Sequence, residues 1–181
     1  MSSVPHIRPG TRDDAPGMAR LISAVIAEGA PVLLTGSFSE EQERAFLAAL
    51  PARAGFHVAE APGGREREGA KGGAHAAPEL VAAQVFVPFA AGMPAHAHVA
   101  EMGTWVDASW RRHGLGRALW ERTAALARKR GFTKVFTDVR ADNGDSLAFH
   151  LALGFSVAGT ARGQAVIDGR AYDVVFIERG L

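Results

Sequence analysis

No cysteine occurs anywhere in the 181 residues. That absence removes disulfides, thiolate metal centres and cysteine nucleophiles together. Long hydrophobic runs are missing too: none approaches the ~20 residues that a membrane-spanning helix needs. The polar opening Met1-Ser-Ser-Val-Pro-His-Ile-Arg8 has no signal-peptide core. A cytoplasmic protein with no membrane partner is expected. Neither sign of charge prevails, since 20 Lys+Arg face 19 Asp+Glu for a net +1, which argues against a nucleic-acid surface. A metal centre also lacks support. His96 and His98 fall on one face of an expected strand, with His113 further on, but no third ligand or carboxylate has matching spacing. What the chain does have is 48% hydrophobic residues. Many are alanine, so the core must come from the Val, Leu, Ile and Phe clusters, in a length that suits one domain, residues 1–181.

The pattern alternates strands and helices irregularly. His6–Arg8 reads as a short strand. Met18, Leu21, Ile22, Val25 and Ile26 keep helical spacing until Gly29 and Pro31. Ser39-Glu-Glu-Gln42 resembles a capping box, opening a helix with Phe46, Leu47 and Leu50 on one face. Strands follow at 56–60, 79–87 and 97–107, the first two separated by a loop at about 61–78 that reads as mobile. A helix from about Gly116 to Gly131, a strand at 134–139, a short helix at 146–153 and strands at 155–160 and 172–178 complete the chain. One mixed α/β (α+β) sheet with helices on both faces is the expected architecture.

The most informative stretch is Trp105-Val-Asp-Ala-Ser-Trp-Arg-Arg-His-Gly-Leu-Gly-Arg-Ala-Leu119. A strand enters a basic glycine turn and leaves as a helix. The start of a helix offers unpaired N–H groups and partial positive charge. Glycine lets the backbone close on a ligand, and Arg111, Arg112 and Arg117 add full charge, a combination suited to phosphate or pyrophosphate. A nucleotide-triphosphate loop is excluded because Gly116 is followed by Arg117-Ala118 rather than Lys-Ser/Thr. A dinucleotide-binding oxidoreductase remains a distant alternative: Gly114-x-Gly116 is followed by Asp138 at a strand end, but Leu119 stands where a small residue is wanted.

Arg111-Arg-His-Gly114-Leu-Gly116 also fits the pattern Arg/Gln-x-x-Gly-x-Gly/Ala. Here the chain resembles the GCN5-related N-acetyltransferase (GNAT) superfamily. The segment Asn143-Gly-Asp-Ser146-Leu-Ala-Phe-His150-Leu-Ala-Leu-Gly154-Phe155 is similar to that family's second signature, in the right order and one helix and one strand downstream. The resemblance covers residues 97–178, and residues 1–56 follow by element order. Ala100-Glu-Met-Gly-Thr-Trp-Val106 looks most like the phosphinothricin, or amino-acid, N-acetyltransferase branch.

That resemblance implies a single domain with a mostly antiparallel sheet, splayed at the cofactor strand. It implies acetyl-CoA as cosubstrate and the primary amine of a small amino-acid-like molecule as acceptor. Backbone groups of Arg112, His113, Gly114, Leu115, Gly116 and Arg117 would hold the pyrophosphate, with Arg111 or Arg117 adding ion pairing. Thr104 and Val106 would meet the pantetheine arm, and Trp105 either cofactor or acceptor. Glu101 is the implied general base. His150 stands where many members carry tyrosine, as the acid for the leaving thiolate or as a packed helix histidine. Asn143 either bonds the arm or caps the helix, and Ser146 touches the arm or is merely small. Glu28, Val32, Phe38 and Asp168 are acceptor-site candidates. Acetylation of protein N-termini and a non-catalytic acyl-CoA-binding module stay open as alternatives, and a homodimer is compatible with the family.

Overall fold

A computed structural model describes residues 4–61 and 79–181; the expected mobile loop therefore lies, apart from Ala61, outside the described residues. Seven strands form one sheet in the order β1-β2-β3-β4-β5-β7-β6. They are β1 (His6–Pro9), β2 (Gly55–Ala61), β3 (Glu79–Pro88), β4 (Val99–Val106), β5 (Lys134–Arg140), β6 (Ser156–Ile167) and β7 (Arg170–Gly180). All neighbours run antiparallel except β4 and β5.

That parallel pair is the pivot of the molecule. Its backbone ladder pairs Val99 with Lys134 and Ala100 with Val135, after which the two strands separate. The open edge of β4 begins there.

Helices cover both faces of the sheet, as the apolar periodicity predicts. α1 (Ala15–Ala27) and α2 (Glu40–Ala49) lie on one side, where Met18, Leu21, Ile22 and Leu47 pack on Phe56, Val58, Leu80 and Val85. The capping box forms as read: Ser39 Oγ accepts the Gln42 N–H and the Gln42 side chain accepts the Ser39 N–H, at 3.1 and 2.8 Å. On the other side, α3 (Leu115–Lys129) and α4 (Gly144–Ala152) close over Phe86, Ala100, Met102, Val135, Val139 and Ile177, with Trp120, Leu147 and Phe149 among their contributions. Side chains alternate along β4. Ala100 and Met102 therefore face α3, while Glu101, Gly103 and Trp105 face α1.

Three expectations need correction. The strand expected from Ala97 starts at Val99, and His96 lies in a 3-10 turn at Pro94–His96, so His96 and His98 do not share a strand face. Phe46 is not core: it is 42% exposed while Leu47 is buried. The closing strands are far longer than expected. Asp168 and Gly169 take φ of +50° and +77°, which is the two-residue hairpin turn an Asp-Gly pair favours, and pairing runs from Ile167–Arg170 back to Ser156–Glu178.

Candidate active site

A cavity of about 340 Å3 opens where β4 and β5 part. Glu101, Gly103, Thr104 and Trp105 line it from β4, Thr137, Asp138 and Arg140 from β5, and Asn143, Ser146 and His150 from the α4 end. Val32, Leu34, Phe46, Val85 and Val87 form apolar walls. The sheet thus opens to both of its faces at one place, so a ligand on the α3–α4 side can meet one on the α1–α2 side.

Hydrogen bonding fixes this opening. Thr137 Oγ1 donates to the Met102 carbonyl at 2.7 Å, which shows that the backbone groups of Met102 point toward β5. By alternation the groups of Thr104 and Val106 point the same way, onto the edge that β5 has left. Gln84, wholly buried on β3, donates from Nε2 to Thr104 Oγ1 at 2.9 Å. The Arg111 guanidinium lies along the same edge, with Nε donating to the Val106 carbonyl at 3.0 Å and Nη2 paired to Glu28.

The glycine turn fits a diphosphate on its own geometry. Gly114, at φ +79°, caps α3, and Arg112 is also left-handed at φ +63°. Such alternation points successive N–H groups into one concavity. The N–H groups from Arg112 through Arg117 have no hydrogen-bond partner among the described residues; the next, Ala118, bonds back to Gly114. Leu115 is buried in the core, so only its backbone can meet a ligand. Gly116 has to be small: a β-carbon there would sit 2.9 Å from Phe149 Cζ. The second signature therefore packs directly on the first. Arg117 turns toward α4, Nη2 donating to the Ala152 carbonyl at 3.3 Å. His113 and Arg112 are exposed.

Asn143 is a cap. Its Oδ1 accepts the Ser146 N–H at 3.0 Å, and its Nδ2 donates to the Pro31 carbonyl at 2.9 Å, tying α4 to the segment after α1. His150 is buried, with rings of Phe149 and Phe155 edge-on at 5.1 and 5.3 Å. Its Nδ1 lies 2.8 Å from the Ser146 carbonyl. A carbonyl only accepts, so Nδ1 carries the hydrogen and Nε2 of the neutral ring holds a lone pair. Burial pushes the imidazole below its ordinary pKa, with the Ser146 carbonyl bond acting in the opposite sense.

Glu101 and Asp138 share one sheet face. Counting on from Ala100–Val135 brings Asp138 level with Gly103. Both side chains are exposed at the mouth of the cavity, and partial desolvation by its walls raises the pKa of both carboxyls; the nearby Asp138 charge raises Glu101 further. The Trp105 ring folds back over Gly103, where a β-carbon would lie 2.7 Å from Cη2.

Other expected residues lie elsewhere. Of the four acceptor candidates only Val32 lines the cavity. Glu28 is engaged by Arg111. Phe38 packs behind the wall, its N–H held by Ser23 Oγ at 3.0 Å. Asp168 occupies the tip of the β6–β7 hairpin. In the sequence Asp138 enters only the dinucleotide alternative, as the acidic residue at a strand end. The period-two alternation of Val135, Thr137 and Val139 against Phe136 and Asp138 gives its face of β5, and the parallel pairing with β4 brings it beside Glu101.

Comparison with known proteins agrees with this geometry. Residues 37–155 match the Acetyltransferase (GNAT) family, and the chain belongs to that family. Over 66 residues it is 39% identical to the [Ribosomal protein bS18]-alanine N-acetyltransferase of Escherichia coli (strain K12), a match covering 36% of this chain and 45% of that protein. The chain thus aligns with less than half the length of the curated relatives it matches. Solved structures extend the likeness in fold over nearly the whole molecule. The N-acetyltransferase from Staphylococcus aureus Mu50 superposes with a TM-score of 0.80 at 20% identity, covering 98% of this chain and 99% of that one. A GNAT superfamily phosphinothricin acetyltransferase from Sinorhizobium meliloti, in complex with AcCoA, gives 0.79 at 18% identity over 99% and 89%.

Proposed function

We propose that this protein is an N-acetyltransferase that moves an acetyl group from acetyl-CoA to the primary amine of a small amino-acid-like acceptor. The observation that carries the reading is the opening between β4 and β5, with an unpaired turn of N–H groups at one end and Glu101 in the cavity. The turn from Arg112 to Arg117 holds the diphosphate, and the free edge at Thr104 and Val106 pairs with the amide-bearing arm. Arg111 must then leave the Val106 carbonyl it occupies. Bound acetyl-CoA supplies a thioester carbonyl.

Glu101 takes one proton from the acceptor ammonium, directly or through water. The freed nitrogen pair attacks the carbonyl carbon, a C–N bond forms, and the C–S bond breaks with its electrons going to sulfur. The nitrogen sheds a second proton and the sulfur gains one, so the balance is amide, thiol and one proton released. His150 stands beside the arm as a neutral ring, and the lone pair on its Nε2 can accept a hydrogen bond there.

Peptide N-termini are a second reading, favoured by the identity to a ribosomal-protein-alanine N-acetyltransferase. Purified protein assayed by thiol release with acetyl-CoA against amino acids, short peptides and simple amines separates the two. Glu101→Gln should lower kcat by about 10²–10⁴-fold with CoA affinity intact; full turnover would remove Glu101 from the chemistry.

A further inference from the structure

We infer that Asp138 determines acceptor specificity: with Glu101 it takes the acceptor in its ammonium form, against the Trp105 ring that covers Gly103. The inference rests on the acyltransfer reading above and adds a residue and a charge rule to it.

Position is the first argument. Asp138 and Glu101 stand on neighbouring strands, on one face, both lining the cavity. Gly103 lies between them with no side chain of its own, and the tip of the Trp105 indole reaches over it. An ammonium group beside the indole would meet carboxylates on two sides and an aromatic ring on a third, partners that favour organic cations. The apolar walls from Val32, Leu34, Phe46, Val85 and Val87 suit the carbon body of such an amine.

The second argument is that the neighbouring cations are already engaged. Arg140 lines the same cavity, but its Nε and Nη2 are bonded to Asp142 at 2.6 and 3.1 Å, its Nη1 donates to the Val32 carbonyl, and its guanidinium sits 4.4 Å from the Tyr172 ring. Arg111 is held by Glu28, and Lys134, further along β5, by Glu178 at 2.6 Å. His150, from α4, is held below its ordinary pKa by burial, against its bond to Ser146, and so disfavours a charge. Among the described residues neither Glu101 nor Asp138 has an ion pair. Among the described residues the cavity therefore holds two carboxylates that no cation pairs, and the acceptor supplies the counter-charge.

The two carboxylates then divide the work. Glu101 accepts the proton and returns it to water, while Asp138 stays ionised and keeps the cation in place. Its charge also makes Glu101 a stronger base than a lone glutamate would be. An amine already neutral at the working pH gains nothing from Asp138.

Asp138→Asn tests this. For an alkylamine acceptor, KM should rise about tenfold or more, the loss of a hydrogen bond to a charged group. The kcat should fall less, and the acid limb of the kcat/KM profile should move to lower pH. An alkoxyamine of the same shape, uncharged at neutral pH, should show little change in KM. Calorimetry should give unchanged CoA affinity, which certifies the fold. In parallel, 13C NMR of the Glu101 carboxyl should show its titration shifting to lower pH in the variant. Equal KM losses for charged and neutral acceptors, or an unmoved Glu101 titration, would overturn the inference. Failure of the acyltransfer reading looks different: wild-type protein then binds no CoA and acetylates no amine.

Discussion

Thr137 on β5 bridges the gap to Met102 on β4, hydroxyl to carbonyl at 2.7 Å, at the point where backbone pairing between the strands has ended. One side chain here takes the place of the ladder. Thr137→Val preserves shape and removes the donor, leaving the Met102 carbonyl without a partner in a buried position. The expected cost is about 1–3 kcal/mol, read as a thermal midpoint lowered by about 2–4 °C for each kcal/mol. Thr137→Ser should recover most of it. If valine is neutral, the bridge does not set the opening.

Gly116 and Phe149 couple the two sequence signatures through a contact. Alanine at 116 would bring its β-carbon within 2.9 Å of Phe149 Cζ and 3.0 Å of Cε2, so the ring or the turn must shift. Gly116→Ala should weaken CoA binding by roughly tenfold, about 1.4 kcal/mol, and adding Phe149→Leu should restore part of that loss. Gly114→Ala behaves differently. Nothing lies within 4 Å of its would-be β-carbon, but φ is +79°, so it should cost roughly 1–2 kcal/mol of stability that Phe149→Leu does not recover. Calorimetry with CoA and thermal melts on all four variants check the pair.

Local chemistry wrote much of this structure into the sequence. The Ser39–Gln42 box, the stripe of α1 and the Arg111–Gly116 turn each depend on neighbours in the chain, and the family pattern added the sense of the sheet. The parts that the sequence leaves hidden depend on distant partners. Nothing near Phe46 says that its helix turns it to the cavity, and Glu28 looks available until α1 is seen to end beside Arg111. Asp138 acquires its meaning only when β5 lies parallel to β4 and then departs from it. The long β6–β7 hairpin is a different failure. Its Asp168-Gly169 pair is a local turn signal, but the family resemblance makes Asp168 an acceptor-site candidate instead, and the mostly exposed strand β6 carries no apolar alternation to betray its length.

Glu43 is an anomaly that the mechanism does not use. Its side chain is buried at 3% exposure in α2, and Oε2 has no hydrogen-bond partner. Burial raises its pKa, so the folded state holds this proton more tightly than the unfolded chain does. Stability from this group is therefore lost as pH rises through the raised value. Glu43→Gln removes the charge that has to be buried. It should stabilise the protein at pH 7 by about 1–3 kcal/mol, with the gain shrinking toward about pH 3, below the ordinary glutamate value of about 4.3, where the wild-type carboxyl is protonated in both states. Urea melts at the two pH values read the difference.

His150 decides how far this chain departs from relatives with a tyrosine at the position. Its neutral tautomer has the hydrogen on Nδ1, committed to Ser146, so protonating sulfur would require a charged ring. Burial opposes that charge. The same preference governs stability. A histidine whose folded pKa is depressed contributes fully above the unfolded value, about 6.5, and that contribution is lost as pH falls toward the folded value. His57, buried against Thr123, is lowered in the same sense by burial and then by Arg122, so both histidines should weaken the fold below about pH 6.5. 15N NMR of the His150 ring should find Nδ1 protonated and Nε2 bare at pH 7, with a midpoint below the ordinary histidine value. His150→Gln, which cannot titrate, should then leave the alkaline side of the kcat profile unchanged. If instead wild type loses activity there through a group that the variant lacks, the ring is charged in the working enzyme, and His150 is an acid after all.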